Sequence, residues 1–367
     1  MLKGSRPVVA IDGRRALSGP YDALGRYAYH VITELAFLTR PYDLYVYGDL
    51  SADPETLKRW RFLFPVDLLI TPNCVTWEQM AFPQAVRQAD VVHAFDVPPL
   101  FSRVPQIITV LDVPRGSKEP LTMPWHLRLK EQYRSQILAA RLPRAALVLA
   151  ASDAGRQSLL EGFSVKAERI WVIPGAPAQT ETKTWAKNRT VVALADPDPR
   201  GNLTGVLEVF QRAAPADFKL VLVLQKATQR LAVDRLVRRW SLSGRVEVVG
   251  PLLEAEWAQR LAEAAAFLYL PMRDSAALPL LDAMILGTPV IAWRGGASRE
   301  LLADGDFLAV STVDEAARTL SLVLSSSEIQ QKFIEEGRKR ALAYHWKDAA
   351  KRTHEAYLRV LTAHQEL

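Results

Sequence analysis

The chain predicts a two-domain α/β protein built on parallel sheets, and three observations carry that expectation. It has 367 residues, 49% of them hydrophobic, whereas single cores rarely grow past about 250 residues. Short apolar runs alternate along it with stretches of helical spacing, the pattern of repeated strand–helix–strand units. The alternation breaks once, in a polar stretch, and then starts again.

In the first half the runs are Val8-Val9-Ala10-Ile11, Leu44-Tyr45-Val46-Tyr47, Val91-Val92-His93, Ile107-Ile108-Thr109-Val110 and Leu147-Val148-Leu149-Ala150. The first is too short for the apolar region of a signal peptide and reads as a buried strand. After Val172-Ile173-Pro174-Gly175 the chain turns polar from Gln179 to Asn188, with Pro177 just ahead, which suits an interdomain linker. The pattern resumes with Val191-Val192-Ala193-Leu194, Leu220 to Leu224, Val246 to Val249, Ala266 to Leu270 and Pro289-Val290-Ile291-Ala292. The expected organisation is a first domain over 1–178, a linker over 179–188 and a second domain over 189–345. From Asp314 onward no strand-like run occurs, and a last helix over 346–367, anchored by Trp346 and Tyr357, is expected to pack back on the first domain.

Composition narrows the function classes. No uninterrupted apolar run reaches the roughly 20 residues of a membrane helix, so a soluble, cytoplasmic protein is expected. Cys74, alone in the sequence, reads as a small buried hydrophobe in a reducing compartment. A formal charge of +6 favours anionic partners. The basic residues are interspersed with 40 acids and no nucleic-acid motif appears, so no nucleic-acid partner is expected. The six histidines are scattered, and no spacing of Cys, His or carboxylates suggests a ligand set, so neither metal nor cofactor is expected.

The most informative segment runs from Arg273 through Asp274, Ser275, Leu278, Pro279, Leu281, Asp282, Ala283 and Met284 to Gly287-Thr288-Pro289-Val290. It links a strand, a turn, a helix and a second strand. Asp274 and Ser275 stand where a helix would start and can cap its amides. Asp282 follows roughly two helical turns later, and taken alone the pair would be one capping and one solvated carboxylate. Together with its order in the chain, the segment resembles the donor-binding signature of retaining glycosyltransferases of family 4, group 1 enzymes with the GT-B fold of two Rossmann-like domains facing a cleft.

Further blocks extend the resemblance over nearly the whole chain: Ile11-Asp12-Gly13-Arg14 with Gly25-Arg26-Tyr27, Thr76-Trp77-Glu78-Gln79, Thr109-Val110-Leu111-Asp112, Asp198-Pro199-Arg200-Gly201-Asn202, and Gly295-Gly296-Ala297. The resemblance implies transfer of a sugar from a nucleotide-diphosphate donor to a glycan or lipid-linked acceptor, with retention. It implies that Asp274 contacts the transferred sugar, that Asp282 contacts the ribose, and that Asp112 is the second catalytic acid. Donor-side contacts would come from Gly25, Arg200, Lys226, Arg273, Ser275, Leu278, Arg294 and Gly295, and acceptor-side contacts from Arg26, Tyr27, Trp77 and Glu78. The Trp77-Glu78-Gln79 element tilts the sugar toward mannose.

The sequence departs from the family pattern at chemical positions. Asp196 stands near the place of a phosphate-clamping arginine, Leu111 replaces a histidine, both signature glutamates are aspartates, and Ala276-Ala277 replace Phe-Gly. Two readings stay open: an active enzyme whose clamp is Arg200 with Lys226, Arg273 or Arg294, or a catalytically inactive GT-B homologue serving as a binding or scaffold subunit with a protein partner. The stretch Met123 to Arg144 reads as a basic amphipathic helix, either an ordinary surface helix or a peripheral contact with anionic membrane at its inner face.

Overall fold

The structure is a computed structural model; it describes residues 6–18, 22–113, 125–178, 186–302 and 309–365. Two compact units emerge, one of Met1–Gly175 with Trp346–Leu367 and one of Ala176–His345. Most of the stretch expected as a linker, 179–185, lies outside the described residues.

The first unit holds a seven-stranded sheet of β1 (Val8–Asp12), β2 (Asp43–Gly48), β3 (Val66–Leu68), β4 (Val91–Phe95), β5 (Gln106–Thr109), β6 (Leu147–Ala150) and β7 (Ile170–Val172), in the order β3-β2-β1-β4-β5-β6-β7. Every pairing is parallel. All five residues of β1 are buried between β2 and β4, as the continuous apolar run requires of a strand covered on both faces. The order reverses between β1 and β4, and open α/β sheets bind ligands outside the carboxyl ends of strands at such a reversal.

The helix Trp346–Gln365 belongs to this unit. Trp346 stacks on His30 with ring centroids 4.7 Å apart and takes the edge of Tyr27 at 5.7 Å. Further along, His354 Nδ1 lies 2.8 Å from the Tyr42 hydroxyl, and the Tyr357 hydroxyl lies 2.6 Å from His93 Nδ1. The unit is thus closed by residues from the far end of the chain.

The second unit holds β8 (Thr190–Leu194), β9 (Lys219–Val223), β10 (Val246–Val249), β11 (Ala266–Tyr269), β12 (Val290–Trp293) and β13 (Ala309–Val310), all parallel, in the order β10-β9-β8-β11-β12-β13. Its reversal lies between β8 and β11. The helix Leu278–Ile285, between β11 and β12, has seven of its eight residues buried, which a helix apolar on nearly every side needs. Gly287, with φ +72°, ends it in the left-handed conformation that glycine adopts without strain. The last stretch is helical, in Val313–Ser325, Ser327–Ala341 and Trp346–Gln365.

Two expectations are corrected. Cys74 is exposed, because it opens a short helix whose Asn73 cap lies at the surface. In the helix Trp125–Arg141, Arg134 and Arg141 do not belong to a basic outer face: Arg134 pairs with Asp96 and Arg141 Nε donates to Gln106 at 3.1 Å. Among the described residues no helix is long and apolar enough to cross a membrane.

Candidate active site

In the second unit the turns after β11 and β12 are joined through Asp274. Its Oδ1 accepts from the amides of Ala276 at 3.1 Å and Ala277 at 2.9 Å, its Oδ2 from the Ser298 hydroxyl at 3.2 Å, and its carbonyl from the Ala297 amide at 2.8 Å. Burial pushes the carboxyl above the usual carboxylate range, against the pull of those amides and of Ser298 and Tyr269. The helix starts only at Leu278, with Ala277 before it at φ +50°. Asp274 therefore binds amides of the turn ahead of the helix rather than capping the helix's own first turn. Gly296, at φ +56°, lets the second turn approach: a Cβ there would lie 2.2 Å from the Asp274 carbonyl oxygen.

The turn after β8 is organised by two acids. Asp196 Oδ1 accepts from the Asp198 amide at 3.1 Å and from Gln229 Nε2 at 3.2 Å. Burial raises its carboxyl, partly offset by the Asp198 amide. Asp198 Oδ1 accepts from the Arg200 amide at 2.9 Å and from Arg200 Nε at 3.2 Å. The Arg200 carbonyl accepts from the Met272 amide at 2.7 Å, which brings this turn beside Arg273 and Asp274. Lys226, exposed, enters through its neighbour Gln229. Arg200, Lys226, Arg273, Asp274, Ser275 and Gly295 thus gather after the carboxyl ends of β8, β9, β11 and β12.

Other residues singled out from the sequence lie elsewhere. Asp282 is buried, 2% exposed, and each oxygen is taken by the chain itself: Oδ1 accepts from the Ala178 amide at 3.0 Å and Oδ2 from Trp257 Nε1 at 3.1 Å. Arg294 turns toward β13, where Nη2 donates to the Ala309 carbonyl at 3.0 Å. Leu278 is a core residue. Among the described residues no three His, Cys, Asp or Glu side chains come together as a metal ion would require.

In the first unit a second polar cluster occupies the reversal. Arg14 Nη2 reaches Asp12, at the end of β1, at 2.9 Å and Glu78 at 3.1 Å, while its guanidinium lies 3.8 Å from the Trp77 ring. Tyr133 donates to Glu78 Oε2 at 2.9 Å. Beside it Arg134 Nε donates to Asp96 at 2.6 Å, and Asp96 follows β4 with φ +79°. Burial raises both Glu78 and Asp96, and their arginine partners pull them down. Asp112 follows β5 with 63% of its side chain exposed.

The acceptor-side residues prove mostly interior. Tyr27 is buried and donates to the Ile173 carbonyl at 2.9 Å; Trp77 is buried, donates to the Gly48 carbonyl at 3.1 Å and stacks on Phe82. Arg26 is buried too. Gly25 lies inside the first turn of the helix Ala23–Leu35, where its amide donates to Asp22. Asp96, Arg134 and Tyr133 went unmarked as site residues because their partners lie 38 to 55 positions away, beyond any local pattern. The one local hint was an acid closing an apolar strand run.

Against this geometry, residues 179–340 match the model of glycosyl transferases group 1. That stretch, less than half of the chain, is similar to the group 1 glycosyl transferases. The matched stretch contains Asp274, Asp282 and the turns that gather around Arg200. Over 256 residues, 66% of this chain, the protein is 27% identical to the MMP alpha-(1->4)-mannosyltransferase of Mycolicibacterium hassiacum. Over 251 residues, 64% of this chain, it is 23% identical to the O-antigen chain mannosyltransferase B of Escherichia coli. The matched parts span 60% and 66% of those two proteins, less than two thirds of the length of each. Among solved structures, Anabaena HepE in complex with UDP and glucose is similar with TM-score 0.74 and 14% identity, covering 96% of this chain and 100% of that one. WaaG, a glycosyltransferase involved in lipopolysaccharide biosynthesis, is similar with TM-score 0.72 and 13% identity, covering 95% and 98%. These likenesses establish the GT-B fold.

Proposed function

We propose that the protein is a glycosyltransferase that moves a hexosyl group, mannosyl first among the candidates, from a nucleotide-diphosphate sugar to a hydroxyl of a glycan or lipid-linked acceptor, with retention. The observation that carries the reading is the junction at Asp274, where a half-buried carboxylate ties together two turns at the carboxyl end of a sheet, within the stretch similar to group 1 glycosyl transferases. Both curated relatives are mannosyltransferases by name, and HepE holds UDP.

In this reading the bond between C1 and the diphosphate oxygen breaks, and the acceptor oxygen bonds C1 on the same face. The acceptor proton passes to the departing phosphate. Arg200, Lys226 and Arg273 supply positive charge to the leaving group, a role that demands preset charge at the moment of bond breaking. Asp274, already fixed by two amides and a serine, offers the transferred sugar a rigid partner. Asp112 lies on the acceptor side.

Calorimetric titration with UDP, GDP and ADP, each beside its monophosphate, tests the reading. One diphosphate is expected to bind at least about tenfold more tightly than its monophosphate, the discrimination that one added charge-assisted contact provides. Asp198→Asn, which keeps an oxygen for the Arg200 amide but removes the competing charge, is expected to tighten that binding by about threefold to tenfold. Failure of every diphosphate to bind refutes the donor site.

A further inference from the structure

The helix Trp125–Arg141 is tied to the carboxyl ends of three neighbouring strands by two consecutive residues. Tyr133 reaches Glu78, which shares Arg14 with Asp12 at the end of β1. Arg134 reaches Asp96 after β4 and Asp112 after β5. Its guanidinium uses each of its edges: Nε donates to Asp96 at 2.6 Å, Nη2 donates to the carbonyl oxygen of Asp112, and Nη1 lies 3.9 Å from Asp112 Oδ2 and 3.7 Å from Glu131 Oε2.

We propose that Arg134 is a positioning residue for Asp112, holding that exposed carboxylate in the place where the acceptor hydroxyl meets it. The proposal rests on the glycosyltransferase reading given above. A surface carboxylate in a turn ordinarily samples several rotamers, and freezing one removes disorder that a reaction would otherwise have to overcome. Leu111, which precedes Asp112, is buried and has no polar atom with which to do this. Arg134 can, because it is itself immobilised: its side chain is 13% exposed and its anchor Asp96 is 9% exposed.

Two details separate this arrangement from a plain structural tie. A tie between helix and sheet is complete with the Asp96 pair alone, yet the fork extends past it to both the carbonyl and the carboxylate of the residue that follows β5. Asp96 also keeps a left-handed backbone, φ +79°, which non-glycine residues adopt rarely and which recurs where a site holds a side chain at a set angle. Lysine, a point charge on a flexible stem, cannot hold three groups at fixed angles.

The test is a double-mutant cycle of Arg134→Lys and Asp112→Asn in the full chain, read as nucleotide-diphosphate release from GDP-mannose and from UDP-glucose, with and without methyl α-mannoside. Arg134→Lys is expected to lower kcat by about 10-fold to 100-fold when assayed well below its melting midpoint, with donor KM unchanged and the melting temperature lowered by the altered Asp96 pair. The double variant is expected to stay within about twofold of Asp112→Asn alone, since residues acting through one another are not additive. Should Arg134→Lys fail to fold, Asp96→Asn removes the anchor and keeps the arginine, and about a 5-fold to 10-fold loss in kcat, again absent in the Asp112→Asn background, is expected. Multiplicative effects, or a loss confined to stability or donor KM, overturn the role of Arg134 and leave the enzyme reading standing. A wild-type protein that releases no diphosphate from either donor overturns both.

Discussion

Lowering the pH from about 7.5 to about 5.5 is expected to weaken the first unit through His93. The ring is enclosed on β4, with Nδ1 2.6 Å from the Tyr357 hydroxyl and Nε2 2.7 Å from the Thr109 hydroxyl, and burial pulls its pKa from 6.5 down to about 3. The folded protein therefore keeps the ring neutral, while the unfolded chain takes up a proton below about pH 6.5. Stability present above that value is lost as the pH falls, at about 1.4 kcal/mol per pH unit, until the folded ring titrates as well. Over the stated interval the loss is about 1.4 kcal/mol, or about 3 to 5 °C in the melting midpoint of a domain this size. His30, also lowered to about 3 by burial and then by Arg26 and Arg59, acts in the same direction. The acids raised by burial, Glu78, Asp96, Asp196 and Asp274, act in the opposite one, because each relieves a buried charge when it protonates. Melts of the wild type and of His93→Asn at several pH values isolate the histidine: the variant should show a shallower decline. Parallel declines would falsify the assignment.

Gly296→Ala should cost about 2 kcal/mol or more in urea unfolding and weaken diphosphate binding, since the new Cβ meets the Asp274 carbonyl. Ala277→Gly should do the reverse, gaining up to about 1 kcal/mol by relieving a left-handed backbone at φ +50°. An unchanged midpoint in both variants contradicts the backbone argument. Asp282→Asn leaves either the Ala178 amide or the Trp257 indole without an acceptor, an expected loss of about 1 to 3 kcal/mol. Diphosphate affinity should change by less than about threefold, and a tenfold fall in affinity with stability intact would instead make Asp282 a ribose ligand.

Much of the fold was legible because central strands of parallel sheets carry continuous apolar runs. Val8 to Ile11, Ile107 to Val110 and Ala266 to Leu270 announce β1, β5 and β11 on composition alone. The strands β3, β7 and β13 were not legible: each has two or three residues and lies at a sheet edge, too short to show any period. At the site, an acid before an apolar helix marked Asp274, but nothing local foretold that Ser298, 24 positions on, would share it. Asp282 and the cluster of Asp96 with Arg134 were opaque for the same reason. Their character comes from partners that only the crossovers of the chain bring near.

The place of Trp346–Gln365 in the first unit has a consequence for how the protein is made. A ribosome delivers residues in order, so His93, Tyr42 and His30 emerge long before Tyr357, His354 and Trp346 exist to cover them. The second unit, though encoded later, has all its strands in one unbroken stretch and can close first. The nascent first half must then wait, with an unfinished core, for the final helix to leave the tunnel.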